Sequence, residues 1–573
     1  MCGIHVALSA VPHAISPQLE QCLCNRGPDY FGQEERRVGD TTSPQSWTLT
    51  FTSTVLALRG DHIAKQPLVN STSGSVLCWN GEAWRVGGHP VDGNDGESIL
   101  ALLRKASAFA PAARHDAMFD VFRSIEGPFA FVYYDKPAER LVFGRDRLGR
   151  RSLMITQDEA SGTFALCSIA EAADSSWKEV EADGIYVLDL ARLQEHAVSA
   201  GHQPVRHDWL SGGQADFVST LPRNSSPSVR PSIGAFNKSL PSANIALTAS
   251  SPSVGMLKQQ LLDSLRPRVL GIPQPPSASA DDVRVAVLFS GGLDCTVLAR
   301  LVHDLLEPDQ GIDLINVAFE NPRVVAQLEK EAKGEPVDYY EACPDRITGR
   351  RSFAELERVC PERTFRFLAV NVPYPETLAH RRQVTSLIYP HNTEMDLSIA
   401  YALYFAARGQ GSCSPPGSGS DLGQAPHASS ARVLLSGLGA DELFGGYVRH
   451  ATAFSRQGYL ALVDELLLDV GRLGKRNLGR DDRAMSHWGK EVRFPFLDER
   501  LVRWAIETPA WEKCDFENGE DVAGVEAGKR VLRLLALELR MEGVAKEKKR
   551  AIQFGSRTAK MESGRVKGTT PLS

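Results

Sequence analysis

The pattern of apolar and polar positions predicts strands along most of the first 200 residues. Short apolar runs alternate there with turn residues, which is typical of strands. The clearest runs lie at 55–58, 76–79, 129–134 and 141–143. Apolar residues at helical spacing over 94–105 predict a helix among them. The first part of the chain is therefore expected to be rich in sheet.

From residue 283 the pattern changes, because strand and helix periods now alternate. Apolar runs predict strands at 283–289, 313–319, 365–370 and 433–435. Between them, apolar residues recur at helical spacing over 293–305 and 397–408. Alternation of this kind predicts a parallel sheet covered by helices.

Ser, Pro, Gly and Asn accumulate in two further segments, and the C-terminal end is basic and polar. We expect a helix at about 252–266 within the first of these segments, and fraying beyond Phe554. The expected organisation is an N-terminal domain (2–200), a Ser/Pro-rich linker (201–282), a second domain (283–557) with a mobile surface insertion (409–431), and a C-terminal tail (558–573).

Composition excludes several classes of function. The 573 residues are 42% hydrophobic and 23% charged with a net charge of −6, so neither nucleic acid nor an anionic membrane is expected as a partner. No apolar stretch reaches the length of a membrane span, and the N-terminus lacks the pattern of a signal peptide. Ten scattered cysteines without a CxxC pair predict reduced thiols in a cytoplasmic protein. The oligomeric state stays open.

Cys2 is the most informative single residue. Removal of Met1 leaves a cysteine that carries both a thiol and a free α-amine. The thiolate is a good nucleophile, and an amine with a pKa near ~8 is a usable general base. One residue could therefore supply both halves of an acyl-transfer site.

Four short motifs follow Cys2 and give it a context. They are Arg26-Gly27-Pro28-Asp29, Leu58-Arg59-Gly60, Asn80-Gly81-Glu82 and Asp95-Gly96-Glu97. In this order the segment resembles the class II glutamine amidotransferases. The resemblance implies an N-terminal-nucleophile fold, in which two sheets lie between helix layers.

The resemblance also implies roles for six residues. Cys2 would attack the side-chain amide of glutamine, and Asn80 and Gly81 would donate hydrogen bonds to the oxyanion. Arg59 would bind the α-carboxylate of glutamine, although this arginine stands closer to Gln66-Pro67-Leu68 than the family's arginine usually does. Glu82 and Asp95 would bind its α-ammonium group.

A second set of motifs lies in the later half of the chain. The loop 290–295 follows a predicted strand and resembles Ser-Gly-Gly-x-Asp-Ser, the pyrophosphate loop of ATP pyrophosphatases, with Cys295 in place of the last Ser. Together with 436–447 and 493–498 it resembles the synthetase domain of glutamine-hydrolysing asparagine synthetase. The segments 345–350 and 550–557 are similar to the divergent eukaryotic branch named asparagine synthetase domain-containing protein.

This resemblance implies ATP and Mg²⁺ as cofactors. The implied ATP-binding residues are Ser290, Gly291, Gly292, Leu293, Asp294, Cys295, Ser436 and Gly437. Asp294 and Asp441 would hold Mg²⁺, which prefers oxygen ligands.

Three residues depart from the family pattern at this second site. Leu438 replaces a Glu that could accept a proton from ammonia, Ser398 stands where an anion-binding Arg is usual, and Ala551 occupies the register of the catalytic Lys. One of the basic residues at 548–550 could replace that lysine, and the sequence does not say which.

The leading hypothesis is a glutamine-dependent, ATP-consuming amidotransferase with two α/β domains, acting on a carboxylate for which aspartate is the first candidate. One alternative is an amide ligase for a different carboxylate, because Leu438 and Ser398 alter the acceptor pocket. The other is a non-catalytic binding or regulatory protein that retains the fold. The intact set around Cys2 argues against that last alternative.

Overall fold

The computed structural model describes residues 2–39, 47–158, 162–171, 176–191, 203–209, 233–274, 279, 282–413, 425–519, 524–561 and 567–572. The chain divides into two compact units. The first unit contains Met1–Thr220, Thr385–His391 and Leu473–Gly489. The second contains Leu221–Val384, Asn392–Arg472 and Lys490–Ser573. Two short segments from the later half of the sequence thus belong to the N-terminal unit.

The first fifteen strands and three helices belong to the N-terminal unit. They are β1 (Gly3–Ser9), α1 (Pro17–Arg26), β2 (Tyr30–Val38), β3 (Trp47–Val55), β4 (Leu68–Val69), β5 (Val76–Gly81), β6 (Arg85–Val86), β7 (His89–Pro90), α2 (Asp95–Ser107), α3 (Pro111–Arg123), β8 (Ile125–Glu126), β9 (Phe129–Asp135), β10 (Arg140–Arg145), β11 (Met154–Asp158), β12 (Thr163–Cys167), β13 (Lys178–Glu179), β14 (Ile185–Asp189) and β15 (Val205–His207).

Two six-stranded antiparallel sheets form the middle of this unit, in the orders β13-β11-β12-β1-β3-β2 and β15-β14-β10-β9-β5-β4. A core of aliphatic and aromatic side chains from both sheets fills the space between them, including Ile4, Phe51, Val132 and Phe143. Helix α1 packs on the outer face of the first sheet, and α2 and α3 pack on the outer face of the second. These are the four layers expected from the sequence.

The predicted strand at 55–58 is wrong, because the strand that forms, β3, ends at Val55. β3 has Thr at every second position over 48–54, and Leu49 and Phe51 between them face the core between the sheets. The prediction followed a continuous apolar run, whereas a sheet with two different faces favours alternation. The other three predicted strands in this unit, and the helix, are present as β5, β9, β10 and α2.

The remaining elements follow in chain order. They are α4 (Pro252–Val269), β16 (Val285–Leu288), α5 (Leu293–His303), β17 (Ile312–Phe319), α6 (Pro322–Glu331), α7 (Pro344–Val359), β18 (Phe365–Val372), α8 (Tyr374–Ala379), α9 (Arg381–Ile388), α10 (Glu394–Arg408), β19 (Gln410–Cys413), β20 (Ala425–Ala428), β21 (Val433–Leu435), α11 (Ala440–Phe444), α12 (Val448–Arg476), α13 (Leu478–Ser486), β22 (Glu491–Arg493), α14 (Glu499–Glu507), α15 (Arg530–Glu538), α16 (Glu542–Ala545) and α17 (Ile552–Gly555).

The second unit is built on a seven-stranded sheet in the order β20-β19-β18-β17-β16-β21-β22. Strands β18, β17, β16, β21 and β22 are parallel, and helices connect them, as the alternating pattern predicts. After β16 the chain forms β17 on one side of that strand, and it later forms β21 on the other side. A crevice forms at such a switch point, just beyond the carboxyl ends of the strands, and binds ligands in sheets of this type.

Three predicted irregular segments are more ordered than their composition indicates. The linker contains α4, close to the helix predicted there. In the predicted insertion at 409–431, β19 and β20 form a hairpin along β18, while 414–424 lie outside the described residues. Beyond Phe554, residues 567–572 hydrogen-bond to the chain at 392–395, so they do not fray. Amino-acid composition does not predict these contacts, because they are made by backbone groups, which nearly all residue types share.

Candidate active sites

Cys2 lies at the start of β1 and is 8% exposed. Its backbone N–H donates to Oδ1 of Asn80 at 2.9 Å, and the N–H of Gly3 donates to Oγ1 of Thr54 at 3.0 Å. Asn80 lies near the end of β5, in the second sheet. The structure therefore brings together Cys2 and Asn80, which are 78 positions apart in the sequence.

The side-chain amide of Asn80 retains a donor. Nδ2 is buried and has no hydrogen-bond partner among the residues that the structure describes. A buried donor without an acceptor costs about 1–3 kcal/mol. Because Oδ1 is held by Cys2, Nδ2 is the group left to donate to a substrate oxygen.

Gly81 follows Asn80 at a place where no side chain fits. A Cβ atom there would lie 2.5 Å from the carbonyl oxygen of Pro128 and 2.6 Å from Cβ of Phe129. The fold thus requires glycine at this position for steric reasons. The backbone can approach a ligand closely at this position.

Gln66 also contacts the nucleophile, although the sequence motifs assigned it no role. Its Nε2 donates to Sγ of Cys2 at 3.7 Å, and its Oε1 accepts from the N–H of Trp79 at 2.7 Å. The Trp79 bond fixes which end of the amide faces the sulfur. The segment Gln66-Pro67-Leu68 served in the sequence analysis only to locate Arg59. It was also the sequence signal that could have pointed to Gln66.

The three predicted glutamine-binding residues lie in one connected group. Nη1 of Arg59 lies 3.7 Å from Oε2 of Glu82. Asp95, at the start of α2, accepts from the N–H of Ala83 at 2.8 Å and from Nε1 of Trp79 at 3.0 Å. Burial raises the pKa of the Asp95 carboxyl, although the charge of Arg59 opposes the shift. The group contains one guanidinium and two carboxyl groups, which suits the α-carboxylate and the α-ammonium group of an amino acid.

A segment from the later half of the sequence supports the Cys2 site within the same unit. The guanidinium group of Arg26 lies 2.9 Å from Oδ2 of Asp482 in α13, and it donates to Oγ of Ser486 at 2.5 Å and to the carbonyl of Cys2 at 3.4 Å. Both members of the ion pair are almost fully buried. The sequence contained no local signal for this contact.

The second candidate site lies where two adjacent parallel strands end. The loop 290–295 follows β16, and the loop 436–441 follows β21. A Cβ on Gly437 would lie 2.9 Å from Cβ of Asp294, so the two loops are in close contact. Gly291 has φ +79° and leaves room for Gly349, whose Cα would lie 2.5 Å from an added Cβ. These glycines let the backbones approach as the anion-binding loop requires.

The carboxylates of Asp294 and Asp441 converge on one buried lysine. Nζ of Lys529 lies 2.8 Å from Oδ1 of Asp294 and 2.8 Å from Oδ1 of Asp441. Lys549 also pairs with Asp441. Burial acts to raise the pKa of Asp441, but the two ammonium groups outweigh it and hold the pKa below its ordinary value. Burial likewise disfavours the charged amine of Lys529, yet the two carboxylates raise its pKa.

This arrangement fits the predicted magnesium ligands. An ammonium group already sits between two carboxylates, so the same oxygens can hold another cation. No cluster of three or more His, Cys, Asp or Glu residues with metal-binding geometry occurs in the described part of the chain. Mg²⁺ commonly takes one or two carboxylates and completes its shell with phosphate oxygens and water. The two carboxylates of Asp294 and Asp441 fit an ion of this kind, which would complete its shell with phosphate oxygens and water.

The three departures from the family pattern have definite positions. Leu438 is half-buried in the second loop, Ser398 in α10 donates to the carbonyl of Glu394 at 2.7 Å, and Ala551 is the N-cap of α17. Among the basic residues at 548–550, Lys549 reaches Asp441, whereas Nη1 of Arg550 lies 3.7 Å from Oδ1 of Asp345. Lys529 lies outside the range that the sequence singled out.

Two global features bear on the expected environment. All ten cysteines are free thiols. Over the ranges described, none of the helices is both long and apolar enough to cross a membrane.

Comparison with known proteins identifies the family. The model for the glutamine amidotransferase domain matches residues 54–174, and that for asparagine synthase matches 422–464 and 455–569. Asparagine synthetase domain-containing protein 1 of Bos taurus is 32% identical, over 99% of this chain and 97% of its own length. The chain belongs to the asparagine synthetase domain-containing protein family. The resemblance inferred from the motifs is thereby confirmed.

Two more distant likenesses were found. Asparagine synthetase [glutamine-hydrolyzing] 1 of Saccharomyces cerevisiae is 22% identical, over 90% of this chain and 77% of its own length. A solved structure of the allosteric regulatory enzyme of purine biosynthesis is 13% identical, covers 64% of this chain and 90% of that chain, and has a TM-score of 0.28. A score this low supports no inference.

Proposed function

We propose that this protein is a glutamine-dependent amidotransferase of the asparagine synthetase type. Glutamine hydrolysis at Cys2 supplies ammonia, and ATP activates a carboxylate as its adenylate with release of pyrophosphate. Ammonia then displaces AMP to give an amide. The observation that carries the proposal is the placement of Cys2 beside Asn80, whose Nδ2 is buried and uncommitted among the described residues.

At the first site, the thiolate of Cys2 attacks the side-chain carbonyl carbon of glutamine. The oxygen becomes negatively charged, and Nδ2 of Asn80 and the N–H of Gly81 donate to it. Collapse of this intermediate releases ammonia and leaves a thioester, which water then hydrolyses through a second oxyanion. Once Met1 is removed, the α-amine of Cys2 is the base that accepts the thiol proton.

Binding of glutamine follows from the charges around that site. Arg59 offers a guanidinium group to the α-carboxylate, and Glu82 and Asp95 offer carboxylates to the α-ammonium group. Arg59 and Glu82 already lie 3.7 Å apart and partly neutralise each other. A zwitterionic ligand can therefore bind between them without leaving a buried charge unpaired.

At the second site, backbone N–H groups of the loop 290–295 and the start of α5 would hold the phosphates of ATP. The side chains of Ser290, Cys295 and Ser436 border the same two loops. Asp294 and Asp441 would hold Mg²⁺, which neutralises phosphate charge during adenylation. Lys549 stands beside Asp441 and is the substitute for the family lysine missing at Ala551.

Aspartate is the first candidate for the acceptor carboxylate, because the similar yeast protein is named as a glutamine-hydrolysing asparagine synthetase. The test is incubation with amide-¹⁵N glutamine, ATP and aspartate, followed by mass spectrometry of the products. Labelled asparagine together with AMP is the expected result. Absence of labelled asparagine, with AMP formed from another acid, would remove aspartate and retain the reaction class.

A second candidate is an amide ligase for a different carboxylate. It is favoured by Leu438 and by Ser398, whose hydroxyl bonds its own helix at Glu394. A pyrophosphate-exchange screen over amino and organic acids distinguishes the two candidates, since exchange with aspartate alone would reject the second. If calorimetry shows no ATP binding and Cys2→Ala leaves every phenotype unchanged, the protein is a non-catalytic member of the family.

A further inference from the structure

Lys529 is the most unusual charged residue of the second unit. Its Nζ lies 2.8 Å and 2.9 Å from the two carboxylate oxygens of Asp294 and 2.8 Å from Oδ1 of Asp441. The side chain is only 4% exposed. One ammonium group thus pairs with two carboxylates from different loops. These loops follow β16 and β21, at the switch point of the sheet.

The backbone holds this lysine in place. Lys529 has φ +54° and ψ +30°, in the left-handed region that non-glycine residues seldom adopt. Its N–H donates to the carbonyl of Phe444 at 2.9 Å, and its own carbonyl accepts from Leu532 and Arg533 in the first turn of α15. The residue is therefore anchored at both ends, and its side chain is directed at the acids by the fold.

A divalent cation and this ammonium group cannot occupy the same place. Oxygen ligands bind Mg²⁺ at about 2.0–2.1 Å, so an ion held by Asp294 and Asp441 would lie within a few ångströms of Nζ. Two like charges at that distance repel strongly in a buried site. Lys529 must therefore leave the carboxylates when a metal ion binds them.

The departing ammonium group needs another partner. Lysine is a common phosphate ligand, because its compact charge and three donors suit phosphate oxygens. The loop 290–295, which contains Asp294, is the proposed phosphate cradle. The acceptor nearest to a displaced Lys529 is thus the phosphate chain of the nucleotide that brings the metal.

We propose that Lys529 is the internal counter-ion of the nucleotide site. It competes with divalent cations for Asp294 and Asp441, and its ammonium group passes from these carboxylates to a phosphate when the metal–nucleotide complex binds. The second part rests on the proposed ATP-dependent function, whereas the competition does not. Free Mg²⁺ is then excluded from the wild-type site, and the ion enters only together with phosphate.

The first experiment uses Mg²⁺ alone as the probe, without nucleotide. Thermal unfolding is followed for the full-length protein and for Lys529→Met, in EDTA and in about 5 mM MgCl₂. We expect Mg²⁺ to raise the Tm of Lys529→Met by at least about 3 °C and to leave the wild-type Tm unchanged. A variant without a Mg²⁺ response would overturn the competition.

Lys549→Met is the matched control. Lys549 also pairs with Asp441, but it is 31% exposed and does not contact Asp294 in the described set of ion pairs. Because Lys529 stays in place in this variant, Mg²⁺ should not change its Tm. An equal Mg²⁺ response in both variants would reject Lys529 as the specific competitor.

Lys529→Met leaves two buried acids without their shared cation, so the variant can fail to fold. Its refolding is then compared in EDTA and in MgCl₂. Recovery of folded protein with Mg²⁺ alone supports the proposal, and equal failure in both buffers contradicts it. Lys529→Arg, which keeps the charge, should fold without Mg²⁺.

The second experiment tests transfer to phosphate by calorimetry with the Mg²⁺ complex of a non-hydrolysable ATP analogue. We expect Lys529→Met to bind at least about tenfold more weakly than wild type, with Lys529→Arg in between. Unchanged affinity in Lys529→Met would reject phosphate binding by Lys529 and leave the competition standing. If the wild type binds no nucleotide, the proposed function fails, while the Mg²⁺ experiment still decides the competition.

Discussion

The two candidate sites differ in how their polar groups are partnered. At Cys2, Nδ2 of Asn80 is buried without a partner in the described residues, ready to donate to a charge that develops on a substrate. At the nucleotide site, Asp294 and Asp441 are both paired with lysine ammonium groups. Under the proposed function, the first site holds its oxyanion donor ready. The second site would exchange partners before a metal–nucleotide complex binds.

The sites also differ in how well sequence motifs describe them. The glutaminase motifs depart from the family pattern only in the spacing of Arg59 before Gln66, whereas the synthetase site lacks three family residues at Leu438, Ser398 and Ala551 and carries Cys295 in place of a Ser. The two acids and the glycine-rich backbone are nevertheless retained at the synthetase site. The departures therefore leave the proposed metal ligands unchanged.

The largest effect is expected from the nucleophile. Cys2→Ala should lower glutamine hydrolysis at least about 10⁴-fold, because a covalent mechanism has no substitute for the sulfur. ATP-dependent product formation with added ammonium chloride should be unchanged, since that reaction bypasses Cys2. Steady-state assays with glutamine and with ammonia measure the two rates.

Cys22→Ala is the matched control, because Cys22 lies in α1 outside the site and forms no disulfide. It should retain both activities. An equal loss of glutamine-dependent and ammonia-dependent activity in Cys2→Ala would show that the two sites do not function separately.

A large loss of stability is expected from the buried ion pair that supports the first site. Asp482→Leu should destabilise the protein by about 3–5 kcal/mol, because it removes the carboxylate that pairs with two buried guanidinium groups, Arg26 at 2.9 Å and Arg151 at 3.6 Å. Denaturant unfolding followed by circular dichroism measures the change in free energy.

The double variant Arg26→Met/Asp482→Leu removes both members of the 2.9 Å pair and should regain part of the lost stability, but not the part that comes from the pairing of Asp482 with Arg151. If the stability losses of Arg26→Met and Asp482→Leu simply add in the double variant, the direct interaction between the two side chains contributes nothing to stability. The N-terminal unit would then not depend on α13 through this contact.

A somewhat smaller effect is expected from the oxyanion donor. Asn80→Ala should lower kcat for glutamine hydrolysis by about 10²–10³-fold with little change in KM, because the donor acts on charge that forms in the transition state. Initial-rate kinetics separate the two parameters. A raised KM with an unchanged kcat would mean that Asn80 binds glutamine and does not stabilise the oxyanion.

The smallest effect concerns an acid at the second site. Burial raises the pKa of Asp345 to about 7, in spite of the opposing charges of Arg550 and Lys549. A carboxyl whose pKa is raised on folding costs stability as pH rises from its unfolded pKa to its folded one. Relative to wild type, Asp345→Asn should therefore gain about 2 kcal/mol between about pH 5 and pH 7, and no more above that range.

Denaturant unfolding of both proteins across this pH range tests the prediction. Asp309→Asn, which replaces an exposed acid in a turn, is the control for the exchange of an acid for its amide. A pH-independent difference for Asp345→Asn would show that Asp345 titrates normally.

Local patterns predicted much of the fold because period and turn chemistry act over a few residues. The strands β5, β9 and β10, the helices α2 and α5, and the alternating second unit all follow from runs of fewer than twenty positions. The prediction failed for β3, where the Thr residues face away from the core between the sheets and an apolar run just beyond the strand does not pair.

By itself, the sequence determined the family, because its short motifs occur in a fixed order, and through that resemblance it predicted the nucleophile, the oxyanion donors and the two anion loops. Only the tertiary structure decided which distant groups complete the sites. Gln66 reaches Cys2, Asp482 reaches Arg26, and Lys529 reaches Asp294, the last two across more than two hundred positions. Such pairs are specified by sheet topology and by the need to neutralise buried charge, and neither leaves a periodic mark in the chain.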